Sequence, residues 1–235
     1  MRYSRECDAC QWFGPLKPTV VLKPILNLQP MDMLGMDFLG PIKPTGVGGG
    51  SSGVGGGSSA AGGSRYILIV VDYYSRFLFA EAVLTADGPT VVRALKKIAK
   101  MFGWPIAIYC DNASYFVKGV VPEELKTHGV LQFSAPITHP SSVGLVERYV
   151  QLVLTGLRTV LVYENQPLCN WDMCLSTVVF AINNRILRIH GFTPSQLFLE
   201  ISLRARVEDI TIRDEMVGAS LVDQDFNEDV EEWMT

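Results

Sequence analysis

A chain of 235 residues, 48% of them apolar, is long enough for one sizeable core plus appendages. No run of eighteen or more apolar residues occurs and the opening MRYSRECDAC has no apolar stretch, so neither a membrane span nor a secretory leader is expected. The net charge of −4 argues against a protein that grips phosphate backbones with its whole surface, and five mostly scattered cysteines fit a reducing compartment better than a disulfide framework.

In chain order, Cys7 and Cys10 come first, with the Cys-x-x-Cys spacing of half a tetrahedral zinc site. The three histidines, His128, His139 and His190, all follow them, so zinc binding within residues 1–14 is not expected. Residues 15–30 read as a linker. The apolar runs 34–40, 66–73 and 77–84 predict an antiparallel three-strand unit. Between the first two lies GVGGGSSGVGGGSSAAGGS, residues 46–64, with a seven-residue duplication and no charge, which reads as a flexible insertion at a tolerant loop tip. Closing a loop of that length costs only about a kcal/mol more than a short one, so the flanking strands are expected to pair. Asp72, ending the second run, suits a turn or a salt bridge.

Further along, Val91–Phe102 has helical periodicity, Ile106–Cys110 reads as a fourth strand and Leu131–Phe133 as a short fifth. Long helices are predicted over 143–163 and 170–188, with Trp171, Phe180 and Phe192 as core packing. The fold class expected is α/β, a five-stranded mixed sheet flanked by helices. Residues 201–235 hold most of the acid excess: from Glu208 onward ten carboxylates face only Arg213, the pattern of a solvated, disordered tail or of a mask over a basic surface. The core without it is mildly basic.

Three acids stand out by context. Asp37 interrupts the apolar segment MLGMDFLGP, and Asp111 follows the strand PIAIYC at its C-terminal end, where ligand sites of α/β sheets open. Glu147 comes after 35 intervening residues, in the first turn of a helix whose apolar stripe is Val146, Val150, Val153, Leu157 and Leu161. The Pro140, Ser141 and Ser142 run just upstream supplies a stop and caps, and the helix N-terminus favours an ionised Glu147. Taken singly, each acid reads equally well as a solvated turn or cap residue. Together, carboxylates from two strands and a helix repel one another unless hard divalent cations neutralise them, which points to a metal-dependent phosphoryl-transfer site with Mg²⁺ or Mn²⁺.

The ordered blocks MDFLGP, RYILIVVDYYSRFLFAEAV, TVVRALKKIAKMFGWP, CDNASYF, HPSSVGLVER and NNRILRIHGFTPSQLF, over residues 31–200, resemble the integrase catalytic core of gypsy-type long-terminal-repeat retrotransposons, within the retroviral integrase superfamily. The resemblance implies a ribonuclease H-like fold, with Asp37, Asp111 and Glu147 as catalytic residues binding two divalent metal ions. It further implies end processing and strand transfer of DNA, element ends and target DNA as partners with RNA as a further candidate, a homo-oligomer, and action in the nucleus after a cytoplasmic phase. Arg148 and Arg158 are candidate phosphate contacts.

Several departures accompany it. Ala113 stands where relatives usually carry Gly, and would strain the turn if that position needs a positive φ. Leu154 stands where many relatives place a DNA-contacting Lys, and Val143 where Asn is common. Residues 1–14 look like the stump of the family's zinc-binding domain, and no recognisable DNA-binding domain follows the core. The alternative expectation is therefore an inactive or domesticated remnant that binds nucleic acid or protein weakly.

Overall fold

The apolar runs become strands in the computed structural model, which describes residues 29–47, 63–134, 144–188 and 191–201. The expected zinc stump, the linker to residue 28, most of the Gly/Ser insertion, the cap candidates His139 to Ser142 and the acidic tail lie outside the described residues.

Strands β1 (Met33–Leu39), β2 (Tyr66–Asp72) and β3 (Leu78–Val83) form the antiparallel unit, joined through β1 to β4 (Ala107–Cys110) and β5 (Leu131–Ser134) in parallel. The sheet order is β3-β2-β1-β4-β5, a five-stranded mixed sheet. The antiparallel pairing outlasts the strands: Ile42 N–H donates to the Arg65 carbonyl at 2.7 Å and Gly46 N–H to that of Ser64 at 2.8 Å, so both ends of the Gly/Ser insertion are held together as expected.

The sheet is covered on both faces, as its parallel half requires. Even-numbered β1 residues Leu34 and Met36, with Leu68, Val70, Ile108 and Cys110, pack against helix α1 (Gly88–Phe102), Phe116 of the short helix α2 (Ser114–Val117), and α3 (Val120–Thr127). Leu39, Ile67, Ile69, Val71 and Leu78 face the other way, onto α4 (Gly144–Tyr163) and α5 (Trp171–Asn183). Alternation along β1 therefore sends Asp37 to the α4 side.

Several boundaries and positions differ from expectation. Helix α1 starts three residues earlier than its apolar stripe, because Asp87 caps it by accepting from Thr90 N–H at 2.9 Å with Pro89 in the first turn. Helix α5 stops at Asn183, five residues short of 188: this buried amide both accepts from Leu78 N–H and donates to the Leu78 carbonyl, each at 2.8 Å, tying the helix end to β3. Helices α2, α3 and α6 (Pro194–Leu199) had no predicted counterpart. Trp171 is fully buried and Phe180 half-buried, but Phe192 is 53% exposed. The aromatic that packs in this region is Phe198 of α6, stacked on Phe77 at 4.6 Å and edge-on to Phe79 and Phe102. The capping box of Thr193 and Gln196 starts α6 one residue after Phe192, which leaves that ring on the connecting loop.

On α4 the buried stripe holds Val146, Val153, Leu157 and Leu161 as read from sequence, plus Tyr149 and Leu154, while Val150 is only half-buried. Asp72 is fully buried and organises the β2–β3 turn: its carboxylate accepts from Met31 N–H and from both the N–H and the hydroxyl of Ser75. That is the turn role expected of it, and burial raises its pKa even so.

Candidate metal centre

In the parallel β1–β4 ladder Gly35 pairs with Tyr109 and Met36 with Cys110, so Asp37 and Asp111 each follow directly on the last paired rung of two adjacent strands. Adjacent strands lie about 4.8 Å apart, well inside the range at which two carboxylates feel each other.

Glu147 is delivered by a close approach of helix to strand. Gly35 has no side chain, and a Cβ built there would stand 2.5 Å from Val146 Cγ2 and 2.7 Å from Tyr73 Cε2. The bare backbone lets Val146 sit against β1, and the next residue, exposed in the first turn of α4, is Glu147.

The electrostatics of Asp37 reflect its burial and its acidic neighbours. Asp37 is pushed from 3.8 up to about 6, chiefly by burial and further by the negative charges of Asp111 and Glu147, against one favourable hydrogen bond from Phe38 N–H. The nearby Tyr115 hydroxyl is pushed up to about 12 by burial first and then by Asp111 and Asp37. Asp111 is half-buried; its Oδ1 accepts from Ala113 N–H at 3.0 Å in a local turn that opens α2. Ala113 itself has φ −60 and ψ 141, ordinary extended backbone, so the strain anticipated for a non-glycine residue at that turn is absent.

The donor set suits a hard cation: three carboxylates, with Asp37 and Asp111 each engaging only Oδ1 in a hydrogen bond among the described residues. The acids share one electrostatic neighbourhood without closing on a point. Among the described residues no group of three or more His, Cys, Asp or Glu side chains has the geometry to hold a metal ion. The chemistry of the set nonetheless fits a hard divalent cation, which would offset the mutual repulsion of the carboxylates.

The two arginines fare differently. Arg148 is exposed beside Glu147. Arg158 lies eleven residues along α4, about 16 Å from Glu147 at 1.5 Å per residue, and is half-buried, so it cannot share one phosphate with the acids. Leu154 is buried in the α4–α5 core, at 3% exposure. Sequence reasoning did not single out Gly35, although a glycine inside an apolar strand two residues before a key acid is the available signal of close backbone approach.

Comparison with known proteins agrees with this architecture. Residues 28–140 match the family described as "Integrase core domain", a span that includes Asp37 and Asp111 and ends before Glu147. The chain is 26% identical over 200 residues, 84% of its length, to the Pro-Pol polyprotein of Simian foamy virus type 3 (strain LK3), of which it spans only 16%. Among solved structures it resembles a chain of the simian T-cell lymphotropic virus intasome in complex with PP2A regulatory subunit B56 gamma, at TM-score 0.64 and 20% identity, covering 86% of this chain and 67% of that one. It also resembles the HTLV-2 integrase catalytic core domain in complex with magnesium (trimeric form), at TM-score 0.54 and 17% identity, covering 73% of this chain and 99% of that one. The mixed five-stranded sheet is thus the ribonuclease H-like fold of retroviral integrase cores, and residues 28–140, a little under half of the chain, are similar to the integrase core domain family.

Proposed function

We propose that the chain is an integrase-type polynucleotidyl transferase acting on DNA, with Asp37, Asp111 and Glu147 as its catalytic acids. One observation carries this: Gly35 admits Val146 of α4 against β1, and Asp37, whose pKa is raised chiefly by burial, also feels the charges of Asp111 and Glu147, acids 74 and 110 residues away in sequence. Mg²⁺ or Mn²⁺ bound by these carboxylates would supply activation of an attacking hydroxyl and stabilisation of a leaving oxygen at a phosphodiester. The protein's own part is to fix the acids on rigid strands and a helix turn, with Asp111 oriented by Ala113 N–H and Asp37 by Phe38 N–H. The reactions proposed are trimming of DNA ends and strand transfer into a target, performed by an oligomer in the nucleus. The gypsy-type assignment within the integrase superfamily rests on the sequence blocks given above.

A second reading, a catalytically silent core that binds DNA or protein, is favoured by one feature. The position where relatives carry a DNA-contacting Lys is Leu154, buried in the core.

Calorimetry with Mg²⁺ and Mn²⁺ on the chain and on D111N/E147Q, beside strand-transfer assays on labelled duplex oligonucleotides, separates the two. Metal binding lost in the double variant, with strand transfer in the parent, supports the enzyme. Equal heats from both proteins and no transfer would sink it in favour of the silent core.

A further inference from the structure

Three of the four cations of α1 are paired with carboxylates: Lys97 meets Glu81 at 2.7 Å, Lys96 meets Glu124 at 2.9 Å, and Arg93 lies 3.9 Å from Glu81. Four arginines on the α4 side are not. Arg76 in the β2–β3 turn, Arg148 on α4, and Arg185 and Arg188 just past α5 have no carboxylate within 4.0 Å among the described residues.

Their backbones are pinned to one another. The Tyr149 hydroxyl donates to the Arg76 carbonyl at 2.7 Å, which fixes the turn to α4 one residue from Arg148. Asn183 clamps the end of α5 to Leu78, two residues past Arg76, and so places Arg185 at the same corner. Arg76 is also held at φ 66, a left-handed backbone that costs a non-glycine side chain about 1 kcal/mol and that Gly or Asn would adopt more cheaply.

The four charges act on common neighbours. Burial holds the Arg185 guanidinium below the usual arginine range, and Arg148 and Arg188 push it further down against the opposing effect of Tyr149. Tyr149, raised to about 12 by burial, feels Arg185, Arg76 and Arg148 together. Asp72, whose charge also bears on Tyr149, has both oxygens already taken by Met31 and Ser75. Like charges gathered without counter-ions raise the energy of the free protein, and an anion with several charged oxygens relieves it.

We propose that Arg76, Arg148, Arg185 and Arg188 form one binding site for the phosphodiester backbone of duplex DNA. The proposal rests on the DNA-processing reading above and deepens it by naming the surface. The β2–β3 turn begins at Asp72, which pairs with Leu34, three residues from Asp37 along β1. At about 3.3 Å per residue the site stands on the order of 10 Å from the acids, close to three base steps of a duplex at 3.4 Å each. A strand held there would run on to the acids through Arg148, which neighbours Glu147.

The test is binding of a short fluorescent duplex, read by anisotropy without divalent metal across a salt series, by the full chain and its variants. R185Q/R188Q is expected to weaken binding at least tenfold and to lower the slope of log affinity on log salt by about 1.8, since each phosphate contact contributes about 0.9. R188Q alone, at an exposed position, should lower the slope by about 0.9 and decides the matter if the double variant folds poorly. R93Q/K97Q, on the paired face, should leave the slope near that of the parent. If the parent binds duplex and R188Q and R185Q/R188Q keep its slope, the arginine site is wrong while the DNA-processing reading stands. A parent that fails to bind duplex even at low salt would bring both down.

Discussion

Val146 rests on the bare backbone of Gly35, and this contact seats the first turn of α4, which carries Glu147, against β1, which carries Asp37. A methyl group at Gly35 would meet Val146 at 2.5 Å and Tyr73 at 2.7 Å, so helix, ring or strand must move. Gly35→Ala is expected to destabilise the fold by about 1–3 kcal/mol, as overpacking does, and to cut strand transfer more than tenfold through misplacement of Glu147. Urea unfolding gives the first figure and oligonucleotide turnover the second; transfer falling no further than stability explains would refute the positioning role.

Asp37 is a stability liability at neutral pH. Its folded pKa, about 6, lies above the unfolded value of 3.8, so the folded state holds the proton more tightly. The favourable contribution is complete below about pH 4, is lost as pH rises through about 6, and leaves a penalty above that. Asp37→Asn should therefore raise unfolding stability at pH 7.5 by on the order of 1–3 kcal/mol, with the gain gone by about pH 3.5, while abolishing strand transfer. Denaturant titrations at the two pH values check the sign; equal stability of both proteins at pH 7.5 would contradict it.

Removing divalent metal should act through the same repulsion. Millimolar Mg²⁺ or Mn²⁺ is expected to raise the melting temperature of the parent chain, and EDTA to reverse this, whereas D111N/E147Q should melt at one temperature with or without metal. Thermal scans by circular dichroism read this directly.

At residue 154 the expected outcome runs against restoring the Lys that relatives carry. Leu154 lies in the α4–α5 core, so Leu154→Lys should cost about 3 kcal/mol or more through an unpaired buried charge and should not improve DNA affinity. Leu154→Ala, leaving a cavity, should cost about 2–5 kcal/mol. Chemical denaturation ranks the two, and a stable L154K chain with tighter DNA binding would overturn the assignment of this face.

Ala113→Gly gains nothing, for a related reason. With φ at −60 the alanine is relaxed, and glycine there adds only chain entropy to the unfolded state, a loss of about 0.5–1 kcal/mol. A stability increase on this substitution would show the turn to be strained after all.

What was legible in the chain follows from the range of each interaction. Strands β1 to β5 and helix α4 announce themselves by apolar periodicity, and so does the position of Asp111 directly after β4. Short helices with a weak stripe, such as α2 and α6, left no such trace. Phe192 and Phe198 differ by a position relative to the Thr193 cap, a distinction that composition does not carry. Asn183 serves Leu78 from 105 residues away, and Leu154 is buried only because α5 lies against it; neither can be read from neighbours in sequence. The relaxed φ of Ala113 is likewise a property of the built turn.

The sheet order also governs when the three acids of the proposed site come together. The first three strands form a meander from nearby segments, apart from the Gly/Ser insertion, and this meander contains one acid of the three. Asp111 arrives only when β4 docks in parallel on β1, and Glu147 only when α4 then closes over Gly35. A chain that has formed only this meander therefore holds one of the three acids. On the proposed reading, chain topology alone reserves the complete acid set for the fully folded state.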